Sequence, residues 1–188
     1  MRAFLVWVVL AACGGSAVTS APPPLQPAPP PAEPSEPAGI PAGYVDAHVM
    51  QVIGSTEGSA VLLLDETTML VLPIYIGGTE ATSIDFRMRG LPPQRPLTHD
   101  LLDTIMKKLR GTLVKVQVDE LRDSTFIGSV FIRIDRRIIR IDARPSDALA
   151  LAIGNKVPIY VAKQVFDQAG VTKDEILRQL APPPGPTT

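Results

Sequence analysis

The segment R-P-L-T-H-D-L-L-D, from Arg95 to Asp103, gathers a histidine and two carboxylates at one predicted helix start. His99 could accept a proton near neutral pH. Asp100 and Asp103 lie three residues apart and could bind a hard divalent cation through oxygen. A purely structural explanation also fits, because Thr98 is a good N-cap and acids in a first turn favour the helix dipole. The residue types and their spacing allow either role.

A second polar segment, I-D-A-R-P-S-D, leads from a predicted strand into an apolar helix. Asp142 and Asp147 could join other carboxylates around Mg²⁺ or Mn²⁺ while Arg144 binds a phosphate, an arrangement suited to phosphodiester cleavage. The structural alternative pairs Arg144 with Asp142 and places Pro145 in the first helical turn. Ser146 and Asp147 would then satisfy the exposed N–H groups of that turn.

Both polar segments, and a third around Glu80, fall where helices are predicted to begin. A Gly-Gly pair ends an apolar strand, and a helix running to about Arg89 follows. Glu80 lies in its first turn, either as a further oxygen ligand or as an acid that favours the helix dipole. The next helix is predicted from Thr98 to about Leu109, with one apolar face. Any active site must therefore form where these helix starts meet.

Alternating and continuous apolar runs predict the strands around these helices. Val114, Val116 and Val118 alternate with polar residues, as in a half-buried strand. Two apolar runs flank the turn-like D-E-T-T as a hairpin, and three strands in a row predict an antiparallel meander. Strands and helices in clusters predict an α+β fold in one domain, residues 44–180, with a largely antiparallel or mixed sheet of about six to eight strands.

Composition excludes several classes of site. From Tyr44 onward 17 basic residues balance 17 acidic ones, once Arg2, Glu33 and Glu36 are subtracted from totals of 18 and 19. A sequence-blind nucleic-acid binder usually has a basic excess, so only a local basic patch could serve. Two histidines and one cysteine make a zinc site improbable. The usual phosphate-loop, dinucleotide and hydrolase motifs are absent, so no nucleotide or redox cofactor is expected.

The first 43 residues predict export and a membrane anchor. Residues 1–12 have the pattern of a short signal peptide, and L-A-A-C-G resembles the bacterial lipoprotein signal, in which Cys13 receives lipid. An ordinary secretory signal is the alternative. Residues 13–43 would form a disordered Pro-rich linker, and the Pro-rich tail 181–188 is also expected to be disordered. We therefore expect a lipid-anchored protein in the cell envelope of a bacterium, facing the periplasm or the exterior.

Three motifs occur together and in order: L-P-I-Y-I-G-G-T-E-A-T-S-I (72–84), R-P-L-T-H-D-L-L (95–102) and I-D-A-R-P-S-D-A-L-A-L-A (141–152). The chain resembles the bifunctional nuclease domain family over residues 44–171. This resemblance implies an α+β fold around a curved, largely antiparallel sheet, and the activity ascribed to plant members acts on both RNA and DNA. The polar motif residues are Glu80, Arg95, His99, Asp100, Asp142, Arg144, Ser146 and Asp147.

We therefore predict a metal-dependent nuclease, tethered outside the inner membrane through lipidated Cys13, that uses Mg²⁺ or Mn²⁺. His99 or a carboxylate would activate water. The alternative is a non-catalytic binding or assembly module, which the balanced charge and few aromatic residues favour; a homo-oligomer is open in either case. The predicted catalytic residues are His99, Asp100, Asp142, Asp147 and Glu80, the phosphate ligands Arg95 and Arg144, and the metal ligands Asp100, Asp142 and Asp147.

Overall fold

An open sheet of eight strands organises the residues that the computed structural model describes, 39–55 and 58–180. The predicted signal peptide, the lipidation site Cys13, nearly all of the Pro-rich linker and the predicted tail lie outside these residues. Within them, no helix is long and apolar enough to cross a bilayer.

The predicted strands and helices form close to their expected positions. Both helices that were predicted with bounds end within a residue or two of them. In chain order the elements are β1 (Tyr44–Ser55), β2 (Gly58–Asp65), β3 (Leu70–Ile76), α1 (Gly78–Arg89), α2 (Thr98–Lys108), β4 (Gly111–Arg122), β5 (Thr125–Ile134), β6 (Arg137–Ala143), α3 (Pro145–Asn155), β7 (Ile159–Ala162), α4 (Lys163–Ala169), β8 (Val171–Thr172) and α5 (Lys173–Leu180).

The strand order across the sheet is β6-β5-β4-β7-β1-β2-β3-β8. Neighbouring strands are antiparallel except β4 and β7, which are parallel, so the sheet is mixed. The predicted hairpin (β2 and β3) and the predicted meander (β4, β5 and β6) are both confirmed. The fold is α+β in a single domain, as predicted.

Helix α3 lies at the centre of the core, because its A-L-A-L-A run is apolar on every side. Residues Ala148 to Ala152 are all buried, and their small side chains let α3 pack closely on β4 and β5. Ile84 of α1 and Val165 of α4 join the same core on the same face of the sheet. Helix α5 packs through Ile176 against a smaller cluster on the other face. Helix α2 reaches the same core through Met106, so α1, α2, α3 and α4 share one face, which we call the helical face.

Candidate active site

The first turns of α1, α2 and α3 meet on the helical face. Glu80 comes from α1, His99 from α2, and Arg144 with Asp147 from the start of α3. With Ser83 of α1 they form one continuous chain of hydrogen bonds, which we call the helix-start cluster. The N-termini of three helices, each with a partial positive charge, are thus close together. The carboxylates of Glu80 and Asp147 offset this charge.

His99 is held from both sides. Its Nδ1 lies 2.9 Å from Ser83 Oγ and its Nε2 lies 3.1 Å from Asp147 Oδ1. In the tautomer that donates from Nε2 to the carboxylate, Nδ1 accepts the hydroxyl proton of Ser83. The side chain is only 7% exposed. His99 therefore orients Asp147, and neither ring nitrogen is left for a ligand.

Ser83 is a member of the cluster that the sequence interpretation missed. It lies three residues after Glu80, a spacing that puts both side chains on neighbouring positions of α1. Its burial is nearly complete. That spacing was the only signal for Ser83 in the sequence. The signal is weak, because a serine in the middle of a helix usually contacts solvent.

Arg144 joins the two carboxylates of the cluster. Its Nη2 donates to Glu80 Oε1 at 2.7 Å and to Asp147 Oδ1 at 3.0 Å, and its Nε donates to Asp147 Oδ2 at 2.8 Å. Hydrogen bonds to Asp147 and Glu80 raise the pKa of Arg144. Within the described part of the chain Nη1 makes no hydrogen bond, and the side chain is 67% exposed. Arg144 therefore presents free N–H donors to solvent. The alternative pair with Asp142 does not form.

Asp147 is the centre of the cluster. Burial raises the pKa of its carboxyl group, but hydrogen bonds from Arg144 and His99 lower it more, so the net shift is downward. Asp147 is therefore ionised at neutral pH. Both of its oxygens already accept hydrogen bonds, one from Arg144 alone and one from both Arg144 and His99.

Asp100 and Asp103 belong to a different cluster, around the buried guanidinium of Arg87. Arg87 Nη2 donates to Asp100 Oδ1 at 2.7 Å, while Nη1 donates to Asp103 Oδ2 at 2.8 Å and to the carbonyl of Ala150 at 3.0 Å. Asn155 donates to the other oxygen of Asp103. These contacts tie the end of α1 to α2 and to the end of α3. The sequence interpretation missed Arg87, because a basic residue in the last turn of a helix is usually solvated.

Asp100 also completes the start of α2. Its Oδ2 accepts the backbone N–H of Leu97 at 2.9 Å, and Leu97 is the N-cap. The predicted cap at Thr98 is therefore wrong by one residue, since Thr98 is the first residue of the helix itself. With one oxygen bound to Arg87 and the other to the helix start, Asp100 serves the packing of α2.

Asp142 and Arg95 lie apart from the helix-start cluster. Asp142 pairs with Ser129 across β5 and β6, whereas its neighbours Ile141 and Ala143 are on the helical face. Side chains alternate along a strand, so Asp142 projects from the opposite face. Arg95 is exposed in the loop before α2 and forms no ion pair within the described residues. Of the eight polar motif residues, four therefore come together: Glu80, His99, Arg144 and Asp147.

The predicted cation ligands do not form a cation site as they are arranged. Asp100, Asp142 and Asp147 lie in three different surroundings, and no group of three His, Cys, Asp or Glu in residues 39–55 and 58–180 could hold a metal ion. Glu80 and Asp147, the two carboxylates of the helix-start cluster, enclose the guanidinium of Arg144. A cation between these carboxylates would have to displace Arg144, so the residues do not fit a resident metal.

Sequence comparison identifies the family of the chain. The profile of the bifunctional nuclease domain matches residues 61–174, well over half of the chain. The chain belongs to the bifunctional nuclease domain family. An uncharacterised protein of Mycobacterium tuberculosis is 40% identical over 116 residues, which are 61% of this chain and 69% of that protein. Bifunctional nuclease 1 of Oryza sativa is 23% identical over 114 residues, which are 59% of this chain and 34% of the rice protein.

The matched region of the bifunctional nuclease domain contains the whole helix-start cluster and the whole Arg87 cluster. It begins after the end of β1, which contributes to a third polar cluster on the face opposite the helical face. There Asp119 accepts hydrogen bonds from Tyr44 at 2.8 Å, Ser129 at 2.6 Å and Arg140 at 2.9 Å. The sequence interpretation missed this cluster, whose members come from four separate strand positions with no common motif.

Proposed function

We propose that the chain hydrolyses phosphodiester bonds of RNA or DNA at the helix-start cluster. One observation carries this proposal: the polar residues of three separate family motifs converge on a single surface site. Two ionisable carboxylates, a charged arginine and an oriented histidine are the kinds of group that phosphoryl transfer needs. Family membership and the name of the rice relative, bifunctional nuclease 1, support the reaction class.

Arg144 is the proposed phosphate ligand. Its guanidinium is exposed, and Nη1 is free to donate to a phosphate oxygen. Arginine suits this role because its fork of N–H donors matches the geometry of phosphate oxygens. Charge that develops on the phosphate during attack would be offset by the same guanidinium and by the nearby helix N-termini.

Glu80 and Asp147 are the proposed proton acceptors. A phosphate that draws Arg144 towards itself weakens the hydrogen bonds from Arg144 to these carboxylates. The carboxylate oxygen released in this way can accept a proton from a water whose oxygen bonds to phosphorus. As the ester P–O bond breaks, the departing oxygen takes up that proton, and the carboxylate is regenerated. His99 is a positioning residue in this scheme, because it fixes Asp147 and has no ring nitrogen facing solvent.

These steps use only side chains of the chain itself. The predicted dependence on Mg²⁺ or Mn²⁺ stays a prediction, which assays with each ion and with EDTA test directly. Tethering outside the inner membrane is also a proposal, based on the L-A-A-C-G pattern before and after Cys13. Incorporation of a lipid analogue that disappears in Cys13→Ala would support it, and labelling retained in that variant would contradict it.

The test of the reaction compares two arginines of equal exposure. The purified chain is incubated with single- and double-stranded RNA and DNA, and the rate of cleavage is measured for wild type, Arg144→Gln and Arg89→Gln. Arg89 is 66% exposed and pairs with Asp85. It therefore matches Arg144 in exposure and in pairing with an acid, but it lies outside the helix-start cluster. We expect Arg144→Gln to lose at least about tenfold in rate and Arg89→Gln to retain it. Equal rates in the two variants would refute the assignment.

A second candidate function is a non-catalytic binding or assembly module. The observation that favours it is saturation of the cluster, since both His99 nitrogens and both Asp147 oxygens already have partners. Such networks also occur as purely structural links between elements. Wild-type protein that cleaves none of the four substrates with Mg²⁺, Mn²⁺ or EDTA, while Asp147→Asn lowers its melting temperature, would favour this module over the nuclease.

A further inference from the structure

Helix α2 carries an apolar stripe that nothing covers within the described part of the chain. Its buried side chains are His99 and Asp103, whereas large apolar side chains next to them remain between 46% and 68% exposed. Several large apolar side chains that are exposed next to each other usually mark a binding site. The stripe consists of Leu101, Leu102, Ile105 and Leu109.

Strand β6 adds a second exposed apolar surface on the same face of the sheet. Ile139 and Ile141 are 38% and 42% exposed, and both lie on the helical face. A Cβ on Gly111 would lie 3.0 Å from both Met106 of α2 and Ile132 of β5, and Ile132 pairs with Ile139. The stripe on α2 and the apolar side of β6 therefore lie on the same face of the same sheet end. We call them together the edge patch.

β6 is also an edge strand. It pairs with β5 on one side, and no strand of the described residues pairs with its other side. Its outer N–H and C=O groups are thus available to a further strand, a feature that natural proteins normally cover or interrupt. A partner that supplies both a strand and an apolar surface would satisfy the whole patch.

We propose that the edge patch binds a second copy of this chain, through antiparallel pairing of β6 with β6 centred on Ile141. In this register Arg140 of each copy lies opposite Asp142 of the other, so two ion pairs form by symmetry. Ile141 lies opposite Ile141, and Ile139 lies opposite Ala143. The pairing continues the sheet and places the two apolar stripes on the same side.

Charge selects this register over its neighbours. Centring on Arg140 places Arg140 opposite itself, and centring on Asp142 places Asp142 opposite itself, so both put like charges together. Centring on Ile139 places Arg137 opposite Ile141 and leaves Arg140 opposite Ile138. A register centred between two residues, in which Arg140 lies opposite Ile141, places the helical face of one copy against the opposite face of the other.

The register also gives Asp142 a partner. Asp142 is exposed and forms no ion pair within residues 39–55 and 58–180. Arg140 contacts Asp119 and Ser129 through Nη2 and Nε, which leaves Nη1 without a hydrogen bond in the described part of the chain. A lipid surface could cover the apolar stripe, but it offers no strand for the edge of β6 and no complement for the alternating charges. These features favour a second copy over a membrane.

The test measures the mass of the full chain in solution by light scattering after size exclusion, at micromolar concentrations. We expect wild type to have twice the 20.1 kDa chain mass and Asp142→Lys to be monomeric. Asp167→Lys is the matched control, because Asp167 is an exposed acid on α4, whose main contacts are with β3, β4 and β7. It should remain dimeric.

Two outcomes overturn the proposal. The first is a wild type that is monomeric throughout the concentration range. The second is a dimer that survives Asp142→Lys, since association through any other segment is insensitive to this change. If the monomeric wild type also sediments with phospholipid vesicles and loses this binding in Ile105→Glu, the stripe binds a membrane and not a second copy. Circular dichroism of each variant confirms that its fold is intact.

Discussion

Replacement of Gly154 by alanine tests whether the Arg87 cluster holds the three helices in place. Gly154 lies in α3, where a Cβ atom would overlap Arg87 Nη1 and lie 2.8 Å from Arg87 Cζ and 3.4 Å from Asp103 Oδ2. Arg87 cannot move aside freely, because Asp100, Asp103 and a backbone carbonyl hold its guanidinium and its side chain is 8% exposed. The absence of a side chain at Gly154 is therefore what admits Arg87.

Two opposing effects decide the size of the loss. Glycine to alanine inside a helix normally stabilises a protein by about 0.5–1 kcal/mol. Breaking a buried ion pair costs about 3–5 kcal/mol, so the net free energy of unfolding should fall by about 2–4 kcal/mol. For a chain of this size each kcal/mol lowers the melting temperature by about 2–4 °C, which predicts a shift of roughly 5–15 °C.

The assay is thermal and urea unfolding followed by circular dichroism, with Gly78→Ala as the matched control. Gly78 is also helical, at the start of α1, and a Cβ there would meet nothing within 4 Å. We expect Gly78→Ala to be neutral or slightly stabilising and Gly154→Ala to be clearly destabilised. If Gly154→Ala is as stable as wild type, Arg87 is not fixed as described and the argument fails.

Two further predictions concern Tyr44 and Gly77. Burial, a hydrogen bond to Asp119 and the charge of that carboxylate raise the pKa of Tyr44 from 10.0 to about 12, so the folded state keeps a proton that the unfolded chain loses. Stability should fall as pH rises from 10 to about 12, and less so in Tyr44→Phe, as urea midpoints would report. A Cβ on Gly77 would lie 2.5 Å from Glu80 Oε2. Gly77→Ala should displace this carboxylate from Arg144 and lower the cleavage rate as Glu80→Gln does, with a nearly unchanged melting temperature.

Local patterns were sufficient to predict the fold class and most of the elements. The alternation of Val114, Val116 and Val118 identified β4, and the turn-like D-E-T-T identified the hairpin, because both signals act within a few residues. The place of β7 was not predictable in this way. It lies between the meander and the hairpin, parallel to β4 and antiparallel to β1. That choice depends on contacts between distant segments, which periodicity does not encode.

The candidate site was predictable to the extent that helix starts attract polar residues. The sequence proposed four residues of the cluster, each from the motif that contains it, and left open whether the motifs meet in space. These residues are Glu80, His99, Arg144 and Asp147. Asp142 could have been separated from Asp147 by strand alternation, because Ile141 and Ala143 mark the helical face and Asp142 lies between them. Arg87 gave no such signal, since its burial depends on acids from another helix.

Helix geometry explains why neighbouring residues of one motif have different roles. Successive residues of an α-helix are turned by about 100° from each other, so the side chains of His99 and Asp100 point in different directions. His99 contacts Asp147 at the start of α3, and Asp100 contacts Arg87 at the end of α1. The first turn of α2 is thus fixed by two clusters at once. Because Arg87 sets the rotation of α2, any change that releases Arg87 should also release His99 and so the orientation of Asp147. The separation of roles therefore makes the structural cluster a condition for the proposed active site.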